Sequence, residues 1–199
     1  MTQSLRELVG GVLVEAGREH KDIYVIDSDL AKSTTTNQFE EVFPERFVET
    51  GIAEQNAMSI AAGIATEGRI PFYVNFAIFV SGTCWTQLRQ ICYANLNVKL
   101  IATHPGMDGG YDGATHHANE DLALMRVLPN LKILAPSNPD ELKAAVRIAP
   151  GPGIHPLRAG RRAKPAGKRS GADGKSGGRG GRRQRFRADL RGIRHGTGL

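Results

Sequence analysis

The chain has 199 residues, enough for one domain with a sizeable core. Its formal charge of +6 divides sharply: residues 1–150 carry 12 Lys+Arg against 18 Asp+Glu, whereas residues 151–199 carry 14 against 2. The basic character therefore belongs to the tail, and the body reads as a mildly acidic globular domain. No apolar run approaches the roughly 20 residues of a membrane helix, and the charged, helical N-terminus is not signal-like. A cytoplasmic protein with no membrane partner is expected. Cys84 and Cys92 lie eight apart with no CxxC spacing, which reads as reduced, partly buried thiols.

In chain order, Thr2 or Ser4 can cap a first helix with Leu5, Leu8, Val9, Val12, Leu13 and Ala16 at helical spacing, ended by Gly17. Asp22 to Asp27 is a buried-type strand, followed by Ser28, Asp29 and a polar loop through Thr36. The strand 47–50 leads through Gly51 into a small-residue helix from Glu54 to about Glu67. The strand 70–75 then delivers Tyr73, Phe76 and Phe79. A helix over about 82–94 and the strand 98–102 follow, opening into the long loop THPGMDGGYDGATHHANE. A helix 121–127, a strand 131–134 and a helix 140–148 complete the body. Strands buried on both faces and alternating with helices predict an α/β fold, a doubly wound and mainly parallel sheet with helices on both faces. Ligands bind beyond the carboxyl ends of strands in such sheets, which places Asp29, Glu54, Tyr73 to Phe79 and loop 103–117 on one edge.

Glu54 in the first turn of its helix sits where the macrodipole favours a carboxylate, so it reads either as a plain first-turn acid or as a functional group. Tyr73, Phe76 and Phe79 read either as core or as a wall for a flat ring. Loop 103–117 holds three His, two Asp and four Gly in fifteen residues, a density unusual for a mere connector. Histidines there suit proton transfer or hydrogen bonds to hydroxyls and carbonyls. No metal-ligand spacing is present, so no metal site is assigned to this chain.

The segments FPERFVETGIAEQNAMSIAAGIATEG, PFYVNFAIF and THPGMDGGYDGATHHANEDLALMRVLPNLKILAPSNPDE resemble the pyrimidine-binding domain of transketolases. The match is closest to the C-terminal subunit of the form split over two chains, and it covers roughly residues 3–152. The resemblance implies the thiamine diphosphate-binding fold and thiamine diphosphate as cofactor. Glu54 would be the carboxylate at the ring nitrogen of the aminopyrimidine, with Tyr73, Phe76 and Phe79 as the aromatic pocket. Asp29 would lie near the thiazolium, and Ser33 would contact the acceptor phosphate. His104, Asp112 and His116 would bind sugar hydroxyls, with His104 and His116 assisting proton movement. The family's arginine near the start of the first helix has no counterpart, since Gln3 or Ser4 stands there.

The implied activity is two-carbon ketol transfer from a ketose phosphate to an aldose phosphate in the pentose phosphate pathway. A deoxyxylulose-phosphate synthase-like enzyme is the alternative within thiamine enzymes. The diphosphate-anchoring Gly-Asp-Gly motif is missing, so Mg2+ and the diphosphate would be held by a partner, the N-terminal transketolase subunit. A homodimer or heterotetramer is expected.

From Gly151 the texture changes to 13 Gly and 11 Arg in 49 residues. An Arg/Gly-rich segment of this kind reads as a disordered tail over 153–199, and a nucleic-acid-binding arm is the alternative function it raises. The family pattern suggests another origin. One extra base near codon 153 converts codons for Gly-Pro-Val-Tyr-Ile-Arg-Phe-Gly into the observed Gly-Pro-Gly-Ile-His-Pro-Leu-Arg. A frameshift is therefore expected, with loss of the last strand, and nucleic acid is then not a selected partner.

Overall fold

The computed structural model describes residues 4–148 and, as backbone alone, 155–159. Its body is built on five parallel strands: β1 (Ile23–Asp27), β2 (Phe47–Glu49), β3 (Ile70–Phe76), β4 (Lys99–Thr103) and β5 (His155–Ala159). They lie in the order β2-β1-β3-β4-β5. The register places Val25 beside Phe72, Phe72 beside Lys99, and Ile101 beside Leu157. The expected doubly wound parallel sheet is found.

Side-chain alternation along the strands sorts the core into two layers. On one face Ile23, Val25, Phe72, Val74 and Ile101 pack with Leu5, Val9, Leu13, Phe39, Leu142 and Val146. These come from α1 (Leu5–Glu19), α3 (Asn37–Val42) and α7 (Pro139–Ile148). On the other face Ile26, Tyr73 and Leu100 meet Ala57, Met58, Leu88, Ile91 and Met125. Those lie on α4 (Glu54–Thr66), α5 (Trp85–Ala94) and α6 (Asp121–Arg126). Among the described residues no helix is long and apolar enough to cross a membrane.

Helix α1 starts as its sequence predicts. Ser4 stands at the N-cap, and its N–H donates to Glu7 Oε2 at 3.0 Å, the backbone half of a capping box; the Ser4 hydroxyl itself makes no cap bond. It does not stop at Gly17 but runs on to Glu19. Gly17 is a packing glycine there, because a Cβ would stand 2.6 Å from the Phe39 ring. The stop comes from Arg46, whose Nη1 donates to the carbonyls of Gly17 and His20 at 3.0 and 3.3 Å.

Three further expectations are corrected. The polar loop through Thr36 contains a short helix, α2 (Ala31–Thr34), organised around the buried Asp27 and followed directly by α3. The run 131–134 makes isolated bridges at its two ends instead of a strand, as suits four residues bounded by Pro129 and Pro136. The last strand, expected to be lost beyond residue 152, is present as β5. Backbone hydrogen bonds suffice for an edge strand, and Pro156 is a residue such an edge accepts. The remainder of the 153–199 segment lies outside the described residues.

Candidate functional site

Strands β1 to β4 deliver their carboxyl ends to one edge, and two residues there turn the chain through the left-handed region. Asp29 (φ +60) follows β1 and His104 (φ +52) follows β4. Asp and His tolerate this conformation better than most residues, and its cost makes it uncommon outside constrained sites. Glu49 ties two of the loops together, its Oε1 accepting Asp29 N–H at 2.8 Å and Gly51 N–H at 2.7 Å.

Beneath the edge runs a buried hydroxyl network. Asn75 Nδ2 donates to Tyr73 Oη at 2.8 Å, Tyr73 Oη meets Ser28 Oγ at 3.1 Å, and Ser28 Oγ meets Thr50 Oγ1 at 3.0 Å. Thr50 Oγ1 donates on to the Asp27 carbonyl at 3.0 Å. Asp27 itself is fully buried, with Thr34 and Thr36 hydroxyls each donating to Oδ2 at 2.8 Å and Leu30 N–H donating to Oδ1 at 2.7 Å. Burial pushes its carboxyl above the usual range, opposed by those hydrogen bonds and reinforced by the Glu49 charge.

Tyr73 is held in this network by its hydroxyl, while Phe76, also buried, packs on His104. The Tyr73 ring is fully buried, and burial pushes its hydroxyl far up, with Cys84 and Glu54 adding to the shift. Of the three expected aromatics, Phe76 and Phe79 pair directly, their rings 6.1 Å apart and nearly parallel at 13°. Phe79 stands in a π-helical turn, Phe79–Thr83, that follows β3. Such turns displace a side chain from ordinary helical spacing. Glu54 opens α4 half-buried. The neighbouring Gln55 Nε2 donates to the Thr83 carbonyl at 3.1 Å and so fixes that helix start against the π turn. The Glu54 carboxyl has no hydrogen-bond partner among the described residues, yet its charge is felt at both Tyr73 and Cys84.

The histidines complete the face. His104 packs against Phe76 with centroids 3.9 Å apart. His116 stands edge-on to Phe79 at 5.3 Å and to Phe76 at 6.1 Å. Loop 103–117 is pinned at its neck by paired backbone hydrogen bonds between Gly106 and Ala118 at 3.0 and 2.8 Å. Thr115 Oγ1 meets His116 Nδ1 at 3.0 Å. Asp29, Ser33 and Asp112 are exposed beyond the same strand ends, and their side chains make no hydrogen bond among the described residues. The structure thus gathers Glu54, Phe76, Phe79, His104 and His116, and leaves Asp29, Ser33 and Asp112 at the rim.

Arg6 was not foreseen as a site residue. Its Nη1 lies 2.6 Å from His104 Nε2, across 98 residues of sequence. Ser28, Asn75 and Thr103 were missed as well, because single polar residues at strand ends carry no pattern. Among the described residues no group of three His, Cys, Asp or Glu side chains is placed to hold a metal ion.

Residues 1–158 match the transketolase pyrimidine-binding domain family. The chain is 42% identical over 146 residues to the transketolase C-terminal section of Methanocaldococcus jannaschii, covering 73% of this chain and 46% of that one. It is 34% identical over 163 residues to the 1-deoxy-D-xylulose-5-phosphate synthase of Syntrophus aciditrophicus, covering 76% and 25%. Among solved structures it superposes on a split-gene transketolase described as an inactive β4 tetramer, with TM-score 0.73 and 47% identity over 83% of this chain and 54% of that one. The chain thus spans about half or less of each of these proteins.

Proposed function

The chain belongs to the transketolase pyrimidine-binding domain family, and from that premise we propose that it is the pyrimidine-binding half of a thiamine diphosphate-dependent ketol transferase. The carrying observation is Glu54. A half-buried carboxyl without a hydrogen-bond partner among the described residues stands at the sheet's carboxyl edge, on a helix start fixed to the turn that bears Phe79. These residues fit the cofactor's ring: Glu54 offers a carboxyl oxygen to a ring nitrogen, and Phe76 and Phe79 offer an apolar wall. Bound there, thiamine diphosphate supplies the carbanion chemistry.

This chain's residues hold and move protons around it. Glu54, in the first turn of α4, presents the carboxyl oxygen at which a proton is shared with a ring nitrogen. His116 keeps Nδ1 on the Thr115 hydroxyl, so Nε2 is the nitrogen at which it exchanges a proton with a sugar hydroxyl. Asp112 and Ser33, exposed at the rim, bind the polar groups of a sugar phosphate. Mg2+ and the diphosphate sit on a partner chain, the N-terminal subunit of a split enzyme. Ile52, Met107 and Tyr111 expose apolar side chains on this edge, as an edge that docks against a partner would.

The test is thiamine diphosphate binding and sugar-phosphate turnover by the purified chain, alone and with a diphosphate-binding partner chain. Both are expected only with the partner, and Glu54→Gln is expected to lower turnover by at least about 100-fold. Turnover by the chain alone would overturn the half-site reading. The similarity to a 1-deoxy-D-xylulose-5-phosphate synthase makes formation of that product the second assay on the same complex.

A further inference from the structure

We propose that Arg6 is a positioning residue that locks His104 into a single neutral tautomer, with the proton on Nδ1, and that Thr35 holds the helix turn from which Arg6 reaches. The hydrogen-bond chain admits one arrangement of protons. A guanidinium only donates, so at 2.6 Å His104 Nε2 must accept from Arg6 Nη1. On the other side of the ring, Thr103 Oγ1 donates its own hydrogen to the Asn75 carbonyl at 3.2 Å. That leaves Thr103 Oγ1 as the acceptor of His104 Nδ1–H at 3.0 Å. Asn75 closes the sequence by accepting Phe76 N–H at its Oδ1 at 2.6 Å, and Phe76 packs on the His104 ring. Every proton in the chain then has one place.

The Arg6 end is built with equal care. Thr35 Oγ1 donates to the Arg6 carbonyl at 3.2 Å and accepts Gly10 N–H at 2.9 Å. It is inserted where a helix would join those two groups directly. Gly10 makes room for it, since a Cβ would lie 1.9 Å from the Thr35 carbonyl oxygen. Thr35 itself takes the left-handed φ of +66, directly after α2. The turn carrying Arg6 is thereby registered against the α2–α3 turn.

The catalytic consequence rests on the function proposed above; the tautomer does not. With both ring nitrogens engaged, His104 is a fixed hydrogen-bonding group and proton movement falls to His116. The experiment is 15N NMR of the histidine-labelled full chain, with His104→Gln identifying the His104 signals. The Nδ1–H neutral pattern is expected for His104. Arg6→Leu is expected to abolish that single pattern and give mixed or charged imidazole, and Arg6→Lys, which keeps a cationic donor, to restore it. Thr35→Val is expected to shift the same signals while the His116 and His117 signals stay in place, which also reports that the fold is intact. A wild-type His104 that is protonated on Nε2 or charged overturns the proposal, as does an Arg6→Leu spectrum unchanged at His104. An inactive partner complex would instead strike the proposed function and leave this result standing.

Discussion

At the scale of single residues, similar aromatic side chains are separated by where the chain puts them. Tyr73 and Phe76 are three apart on β3, yet the tyrosine is closed into a hydroxyl network under the sheet edge while the phenylalanine faces the histidines. Cys84 and Cys92, expected as reduced, partly buried thiols, are both free and fully buried. Burial pushes the Cys84 thiol up to about 12 and the Cys92 thiol up to about 11, so neither is a thiolate at neutral pH. Alkylation by iodoacetamide is expected to modify neither in the native protein and both in denaturant, read by intact mass; rapid native labelling of Cys84 would contradict the packing around Tyr73. Arg6, the residue that most changes the picture of the site, has no signal in sequence beyond being a basic residue early in a helix.

At the scale of elements, helix α1 shows how one segment is fixed at one end by a near neighbour and at the other by a partner distant in sequence. Its start is held by the Ser4 N–H bond to the Glu7 carboxylate, legible as Ser4 with Glu7 three residues on. Its end is held by Arg46, whose guanidinium lies 3.8 Å from the Phe43 ring centroid while it donates to the last-turn carbonyls. Arg46→Ala is expected to destabilise the fold by about 1.5–3 kcal/mol, the worth of charge-assisted hydrogen bonds to buried carbonyls, measured by urea denaturation. The middle of the helix depends on absence of volume at Gly10. Gly10→Ala is expected to cost about 1–3 kcal/mol as an overpacking change and to disturb the His104 signals, since α1 and the Thr35 loop must separate. A melting temperature unchanged by this substitution would show that the close approach is not obligatory.

For the whole molecule, buried titratable groups set how stability follows pH. Lys99 is fully buried at the start of β4, donating to Asn97 Oδ1 at 2.5 Å, and burial together with the Lys132 charge lowers its pKa to about 7 from 10.5. The unfolded chain binds that proton below 10.5 and the folded one only below about 7. Stability from this group therefore rises with pH across the interval, by up to about 1.4 kcal/mol per pH unit. Cys84 and Cys92 work the other way, because the unfolded thiols ionise near 9.0 and the folded ones only near 12 and 11, so together they outweigh Lys99 as pH rises above 9. Chemical denaturation along a pH series should show stability climbing from neutral pH and turning over near 9. Lys99→Met should flatten the climb and leave the turnover; an unaltered climb would mean Lys99 is not its source.

The sequence by itself determined the α/β class, most element boundaries to within a residue or two, the sheet edge that gathers the candidate residues, and the family. Each of these rests on local information: hydrophobic period, strand length, capping residues, and motifs read as continuous strings such as Gly51 to Gln55. The tertiary structure decided which side chains meet. Arg6 reaches His104 across 98 residues, Tyr73 turns inward to Ser28, Gly17 serves packing instead of ending a helix, and residues 155–159 join the sheet by backbone pairing. These contacts join segments remote in the chain, and a tautomer, a buried network or an edge strand follows from the neighbours that folding brings up, not from the residue's own type.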